Sequence, residues 1–220
     1  MTNARAIEAA TKLTQAGGWL DFGPERSRLL LNVVRALAEG RPVSQERVTE
    51  IAAQVGVADG EVRQFMQEVA EQDASGNIVG IVPGLSLNEH PHRFYLNGVR
   101  MSTWCAEDTL VLPAVLNQSA TVESASPVSG EKVRCTVSPQ RVEEARPPGA
   151  VVSIVNVEPE RADTSSAEAI WGTFCHHIFF FVSRAEAEQW AAGRKDIEIL
   201  SLDEAFELGR LISGRLLAHE

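Results

Sequence analysis

Apolar residues recur every three or four positions through most of the first eighty residues, the spacing that lines one face of a helix. Ile7 to Thr14 is a short amphipathic stretch ended by Gly17-Gly18. Pro24 to Ala38 reads as a longer helix, with proline in its first turn, Leu29, Leu30, Val33, Val34 and Leu37 on one side, and Gly40 as a stop. Ser44 is placed to cap Gln45 to Val55, whose inner face is Val48, Ile51, Ala52 and Val55, and Gly56-Val57 turns the chain. Asp59 is placed to cap a third helix, Gly60 to Gln72, with Val62, Phe65, Met66 and Val69 inward.

From Asp73 the period changes to that of strands. Ser75-Gly76-Asn77 is a turn signal. Ile78 to Val82 and Arg93 to Leu96 read as strands around an exposed loop carrying Pro83, Gly84, His90, Pro91 and His92. Met101 to Leu116 is predicted as a helix with a kink or stop at Pro113. Thr121 to Ser126, Glu131 to Val137, Ala150 to Val157 and the apolar run Phe174 to Val182 are predicted strands. Ser183 caps a helix from Arg184 to Ala192, and Leu202 to Leu217 is a final amphipathic helix. Helices first and a mixed, mostly β part afterwards make an α+β chain. The change of pattern divides it into a helical module, residues 1–80, and a mixed domain, residues 81–220.

Composition narrows the function. With 220 residues, 44% hydrophobic and 23% charged, the chain has the balance of a globular protein with a real core. Its formal net charge of −10 sets it against nucleic acid and anionic lipid as partners. No apolar run approaches the roughly 18–20 residues of a membrane span, and the N-terminus lacks a secretory h-region, so the cytoplasm is the expected location. Helix, tight turn and helix suggest a helix-turn-helix or winged-helix unit, with the following hairpin as its wing. Residues 1–80 hold 8 Lys and Arg against 11 Asp and Glu, and the would-be recognition helix carries Glu61, Glu68 and Glu71 against Arg63. Such a face favours a packing module over a DNA reader.

Three cysteines in a reducing compartment point to packing or thiol chemistry, not to a disulfide framework. In Trp104-Cys105-Ala106-Glu107-Asp108, Cys105 and Asp108 stand three apart, which on a helix sets a thiol beside a carboxyl. A soft nucleophile and an acid-base group in one turn is one reading; a buried cysteine with an ordinary acidic neighbour is the other. In Phe174-Cys175-His176-His177, strand alternation would put Cys175 and His177 on one face. Cys105, Cys175 and a histidine would suit zinc or another thiophilic ion, though no CxxC or HxxxH pair supports a structural zinc site. Cys135 has no acidic or histidine neighbour and reads as packing, as do Trp19, Trp171 and Trp190.

These segments, taken together, resemble the alkylmercury (organomercurial) lyase family of bacterial mercury resistance. The resemblance is carried by Trp104 to Ala114, Thr136 to Pro139, Phe174-Cys175-His176 with its following phenylalanines, Asp203 to Phe206 with Leu208-Gly209, and Gly40 to Ser44, in that family's order. It implies a winged-helix-like module packed on a mixed, mainly antiparallel β core. It also implies protonolysis of the carbon–mercury bond, releasing a hydrocarbon and Hg(II). By matching residues, Cys105 and Cys175 would hold mercury, and Asp108 would act as base and then proton donor and stand beside the metal. Trp104 and Phe174 would line the substrate pocket. No bound cofactor is implied; external thiols, or a mercuric reductase, would remove the product ion. A cysteine frequent in the family is absent where this chain has Ala125-Ser126. Set against this reading are a soft-metal sensor using the helical module on DNA, a thiol-redox protein, and a relative that binds mercury without cleaving.

Overall fold

The computed structural model describes Glu8, residues 20–156 and residues 162–220. The Ile7 to Thr14 stretch, the Gly17-Gly18 stop and Trp19 lie outside the described residues, Glu8 aside. Helix α1 (Pro24–Leu37) starts at its proline and buries the predicted stripe completely. In α2 (Gln45–Val55) the Ser44 hydroxyl accepts from the Arg47 amide at 3.2 Å. Helix α3 runs Asp59–Val69, starting at Asp59 itself, with no side-chain cap.

The predicted continuation of α3 to Gln72 does not occur. Ala70–Gln72 is extended as β1 and pairs antiparallel with β2 (Ile78–Ile81). Ladder bonds to β2 override the helical propensity of these residues. Gly76 tightens the connecting turn, and Val43 bridges Ile78 by reciprocal backbone bonds of 3.0 and 2.9 Å, tying the helices to the sheet. Strand β2 spans the expected boundary at residues 80 and 81, and the sheet continues through it.

That sheet has eight strands, all neighbouring pairs antiparallel, in the order β1-β2-β3-β5-β4-β6-β7-β8. Its members after β2 are β3 (Leu85–Ser86), β4 (His92–Leu96), β5 (Val99–Thr103), β6 (Ala120–Ala125), β7 (Lys132–Val137) and β8 (Val142–Arg146). Between β5 and β6 lies helix α4 (Asp108–Leu116), and beyond β8 the chain forms β9 (Val151–Val155). Then come α5 (Ala167–Thr173), a 3-10 turn at Cys175–His177, β10 (Phe180–Phe181), α6 (Arg184–Ala191), β11 (Ile197–Ser201) and α7 (Leu202–Leu217). A second, three-stranded antiparallel sheet has the order β10-β9-β11. The α+β class and the mainly antiparallel core are as expected.

Three further boundaries shift, and one expected helix stop does not occur. Met101 to Thr103 belongs to β5, paired with both β3 and β4, so the predicted helix starts only at Asp108. Pro113 sits inside α4, which runs on to Leu116. The supposed loop around Pro83 contains β3, and its second histidine, His92, opens β4. The run from Phe174 is strand only at Phe180–Phe181.

Helix α4 is apolar on nearly every side and buried along its length, which places it between sheet and helices. It packs on α7, where Gly209 lets the two backbones approach: a Cβ there would stand 3.2 Å from the Leu110 carbonyl carbon. Ser201 and Glu204 form a full capping box at the start of α7. Among the described residues no helix is long and apolar enough to cross a membrane.

Candidate active site

Cys105 lies in the turn that joins β5 to α4, not on the helix itself. The turn is fixed on every side. The Trp104 amide donates to the Gly84 carbonyl at 2.8 Å, and the Thr103 hydroxyl donates to the Cys105 carbonyl at 2.8 Å. Asp108 is the first residue of α4, where its carboxylate folds back so that Oδ2 accepts from the Cys105 amide at 2.8 Å. The three-residue spacing therefore brings thiol and carboxyl together through a helix-start turn, which favours negative charge. Gly84, in the left-handed region at φ +62°, lies flat against this carboxylate; a Cβ on it would overlap Asp108 Oδ2.

Cys175 opens the 3-10 turn after α5. Strand alternation is therefore not what orients it, and His177 does not share its face. The turn is held by Ser153 of β9, whose hydroxyl donates to the His177 carbonyl at 2.8 Å and accepts from the Phe179 amide at 2.9 Å. A backbone bond links the two cysteine turns directly: the Ala106 amide donates to the Ile178 carbonyl at 3.1 Å. As a result the Sγ atoms of Cys105 and Cys175 and a carboxylate oxygen of Asp108 all lie within 4.8 Å of one another. Seventy residues of sequence separate the thiols, yet they hydrogen-bond to each other.

The three groups face a cavity of about 60 Å³, several times the ~10–15 Å³ that one water needs. Its wall is mostly aliphatic, from Leu20, Val111, Ile170, Ile178 and Ile212 among others, and includes Trp104 and Phe174. Such a wall sets the protonation states. Burial lifts the Asp108 pKa to about 6, against the pull of hydrogen bonds from the Cys105 thiol and amide and of the His90 charge. Burial, then the bond to Cys175, holds the Cys105 thiol well above its ordinary value. For Cys175 the bond with Cys105 favours the thiolate, but burial and the Asp108 charge outweigh it and raise that thiol too. Neither thiol ionises unaided at neutral pH, while Asp108 is mostly a carboxylate able to take a proton. Two soft sulfur donors beside a proton acceptor suit a thiophilic metal whose binding displaces protons.

Other predicted residues fall elsewhere. Among the described residues no histidine joins the two cysteines; the third group is Asp108. His176 is exposed and packs against Trp171 with the rings tilted, centroids 4.6 Å apart. His92 is not in an exposed loop: it is fully buried, with Nδ1 2.8 Å from the Ser124 hydroxyl, and burial pushes its pKa down to about 3. His90 is half-buried with Nε2 2.9 Å from Glu71 Oε1. Cys135 is buried in β7, and burial alone pushes its thiol up to about 12, in keeping with packing. Trp190 packs at the core edge between Phe179 and Phe181, and Trp171 is partly buried.

Sequence reasoning missed Gly84, Ser153 and Glu107. Pro83-Gly84 was visible as a turn, but nothing local says which side chain such a turn will meet. Glu107 stood between the two chosen residues, with no spacing to single it out.

The alkylmercury lyase family model matches residues 85–214, which hold all three groups of the cluster. An alkylmercury lyase from Staphylococcus epidermidis is 38% identical over 185 residues, 83% of this chain and 80% of that protein. One from Pseudomonas putida is 34% identical over 195 residues, 88% of this chain and 86% of that one. The solved structure of the mercury-bound form of MerB2 superposes with a TM-score of 0.75 at 23% identity, covering 94% of this chain and 99% of that chain, and so shares the fold. By its sequence matches this chain belongs to the alkylmercury lyase family.

Proposed function

We propose that this chain is an organomercurial lyase that cleaves the carbon–mercury bond of alkyl- and arylmercury compounds by protonolysis. The observation that carries the reading is the convergence of two buried thiols and one carboxyl within 4.8 Å on an apolar cavity. Mercury is soft and binds thiolate before any other protein ligand. The organic group it carries is apolar and finds an aliphatic wall.

The protons balance as follows. One thiol loses its proton as its sulfur bonds to mercury, and that proton leaves with the displaced counter-ligand. The proton of the other thiol passes to the Asp108 carboxylate as the second sulfur–mercury bond forms. Two thiolates push electron density onto the mercury-bound carbon. Asp108, now a carboxylic acid, delivers its proton to that carbon, the carbon–mercury bond breaks, and hydrocarbon leaves. Hg(II) stays between Cys105 and Cys175, and Asp108 is a carboxylate again. The scheme uses this chain's side chains with no resident cofactor. External thiols restore the free cysteines by exchange, alone or through hand-off to a mercuric reductase, and the cytoplasm is the compartment that supplies them. We assign Trp104 and Phe174 to the pocket wall.

Each role separates in a variant. Cys105→Ser and Cys175→Ser are expected to abolish turnover. Asp108→Ala is expected to keep mercury binding but lose hydrocarbon release. Mercury uptake by mass spectrometry beside hydrocarbon by gas chromatography makes the comparison. A Cys175→Ser protein with a near-normal rate would rule out the two-thiol scheme.

A further inference from the structure

One group on the cavity wall has no task in that scheme. Glu107 lines the same cavity as Cys105, Asp108 and Cys175, and its residue exposure is only 6%. Neither of its carboxyl oxygens has a hydrogen-bond partner among the described residues. It stands at the N-cap position of α4 yet makes no side-chain cap; only its backbone carbonyl serves the helix, accepting from Leu110 and Val111. Its surroundings from α7 carry no charge: Leu208 and Ile212 line the cavity beside it, and a Cβ on Gly209 would stand 3.1 Å from Oε1.

Other less exposed carboxyls of this chain are engaged. Glu71 meets Ser86, Asn88 and His90; Glu123 meets Lys132, Arg93 and Arg134; Glu186 accepts from the Ser129 and Val182 amides. A structural glutamate in this protein is paired. A buried carboxyl without partners is costly unless something that enters the cavity pairs with it. The indole Nε1 of Trp104 is a second buried polar atom on this wall without a partner among the described residues.

We infer that Glu107 is a specificity-determining anchor, whose carboxyl hydrogen-bonds a hydroxyl group on the organic part of the organomercurial. A hydroxyl fits best because it both donates and accepts, and so pairs with a carboxyl in either protonation state. A carboxylate substituent would bring a third acid beside Asp108, and an ammonium would carry a full charge into an aliphatic cavity. The inference rests on the lyase reading and names the substrate class within it: small organomercurials bearing a hydroxyl, favoured over purely hydrocarbon ones of equal size.

The test compares 3-hydroxypropylmercury with n-butylmercury, which have equal numbers of heavy atoms. Propanol and butane release are measured with excess thiol for the wild type, Glu107→Leu and Glu107→Gln. Leucine suits an aliphatic wall, so Glu107→Leu should fold. The ratio of kcat/KM for the two substrates is expected to fall roughly tenfold from wild type to Glu107→Leu, the worth of one hydrogen bond in a closed site. Glu107→Gln, which still donates and accepts, is expected to retain most of the preference. A ratio that changes less than threefold in Glu107→Leu, or that rises, overturns the inference while leaving the lyase reading intact. No hydrocarbon product from either substrate with the wild type would overturn both.

Discussion

At the scale of single residues, the proposed chemistry turns on a carboxyl held where it is poorly solvated. With the Asp108 pKa raised to about 6, kcat/KM should climb as pH rises through 6, because the free enzyme needs the carboxylate to take a thiol proton. In Asp108→Asn that limb should vanish with the activity. The same shift has a stability consequence of known sign. A group whose folded pKa is raised stabilises the fold most below its unfolded value, near 3.8, and the contribution is lost as pH rises through about 6. At pH 7 the ionised Asp108 therefore costs about 2–3 kcal/mol. Denaturation at pH 7 should find Asp108→Asn more stable than wild type, with the difference shrinking below pH 4. Gly84→Ala tests the same carboxylate from its other side. A methyl group there overlaps Oδ2, so protonolysis should drop on the order of a hundredfold while both thiols still bind mercury.

At the scale of elements, the site is a junction of two turns. One precedes α4 and the other follows α5, and the Ala106-to-Ile178 hydrogen bond joins them. Helix α7 backs this junction by packing on α4, so its capping box bears on the site. Ser201→Ala should cost about 1 kcal/mol, read as a fall of a few degrees in Tm. The helices α1, α2, α6 and α7 were legible because each carries its own signals: Pro24, Ser44 and Ser183 at the starts of the first three, and the amphipathic pattern of Leu202–Leu217 in the last. What was not legible is set by partners distant in sequence. Val142–Arg146 alternates no apolar face and is a strand only because β7 pairs with it. Ile197–Ser201 is a strand through β9. Phe174 to Ile178 is apolar enough for a strand, yet Ser153 draws its backbone into a turn. The three clustered residues were readable from their types and their family resemblance, but their meeting was not, because it depends on two turns seventy residues apart.

At the scale of the whole molecule, charge and cavity point to a small apolar ligand. A net charge of −10 repels a phosphate backbone, and on α3 Glu61 is exposed and Glu68 half-buried. A gel shift at moderate salt should show no retained DNA, with or without mercury; specific retention would favour a soft-metal sensor instead. The central claim is protonolysis, and isotope labelling addresses it most directly. The purified protein is incubated anaerobically with phenylmercury and excess thiol in D2O, and the extract is analysed for benzene by mass spectrometry. The account predicts many equivalents of benzene per protein, each carrying a single deuterium where mercury had been. Mercury taken up one to one with no benzene released would contradict it.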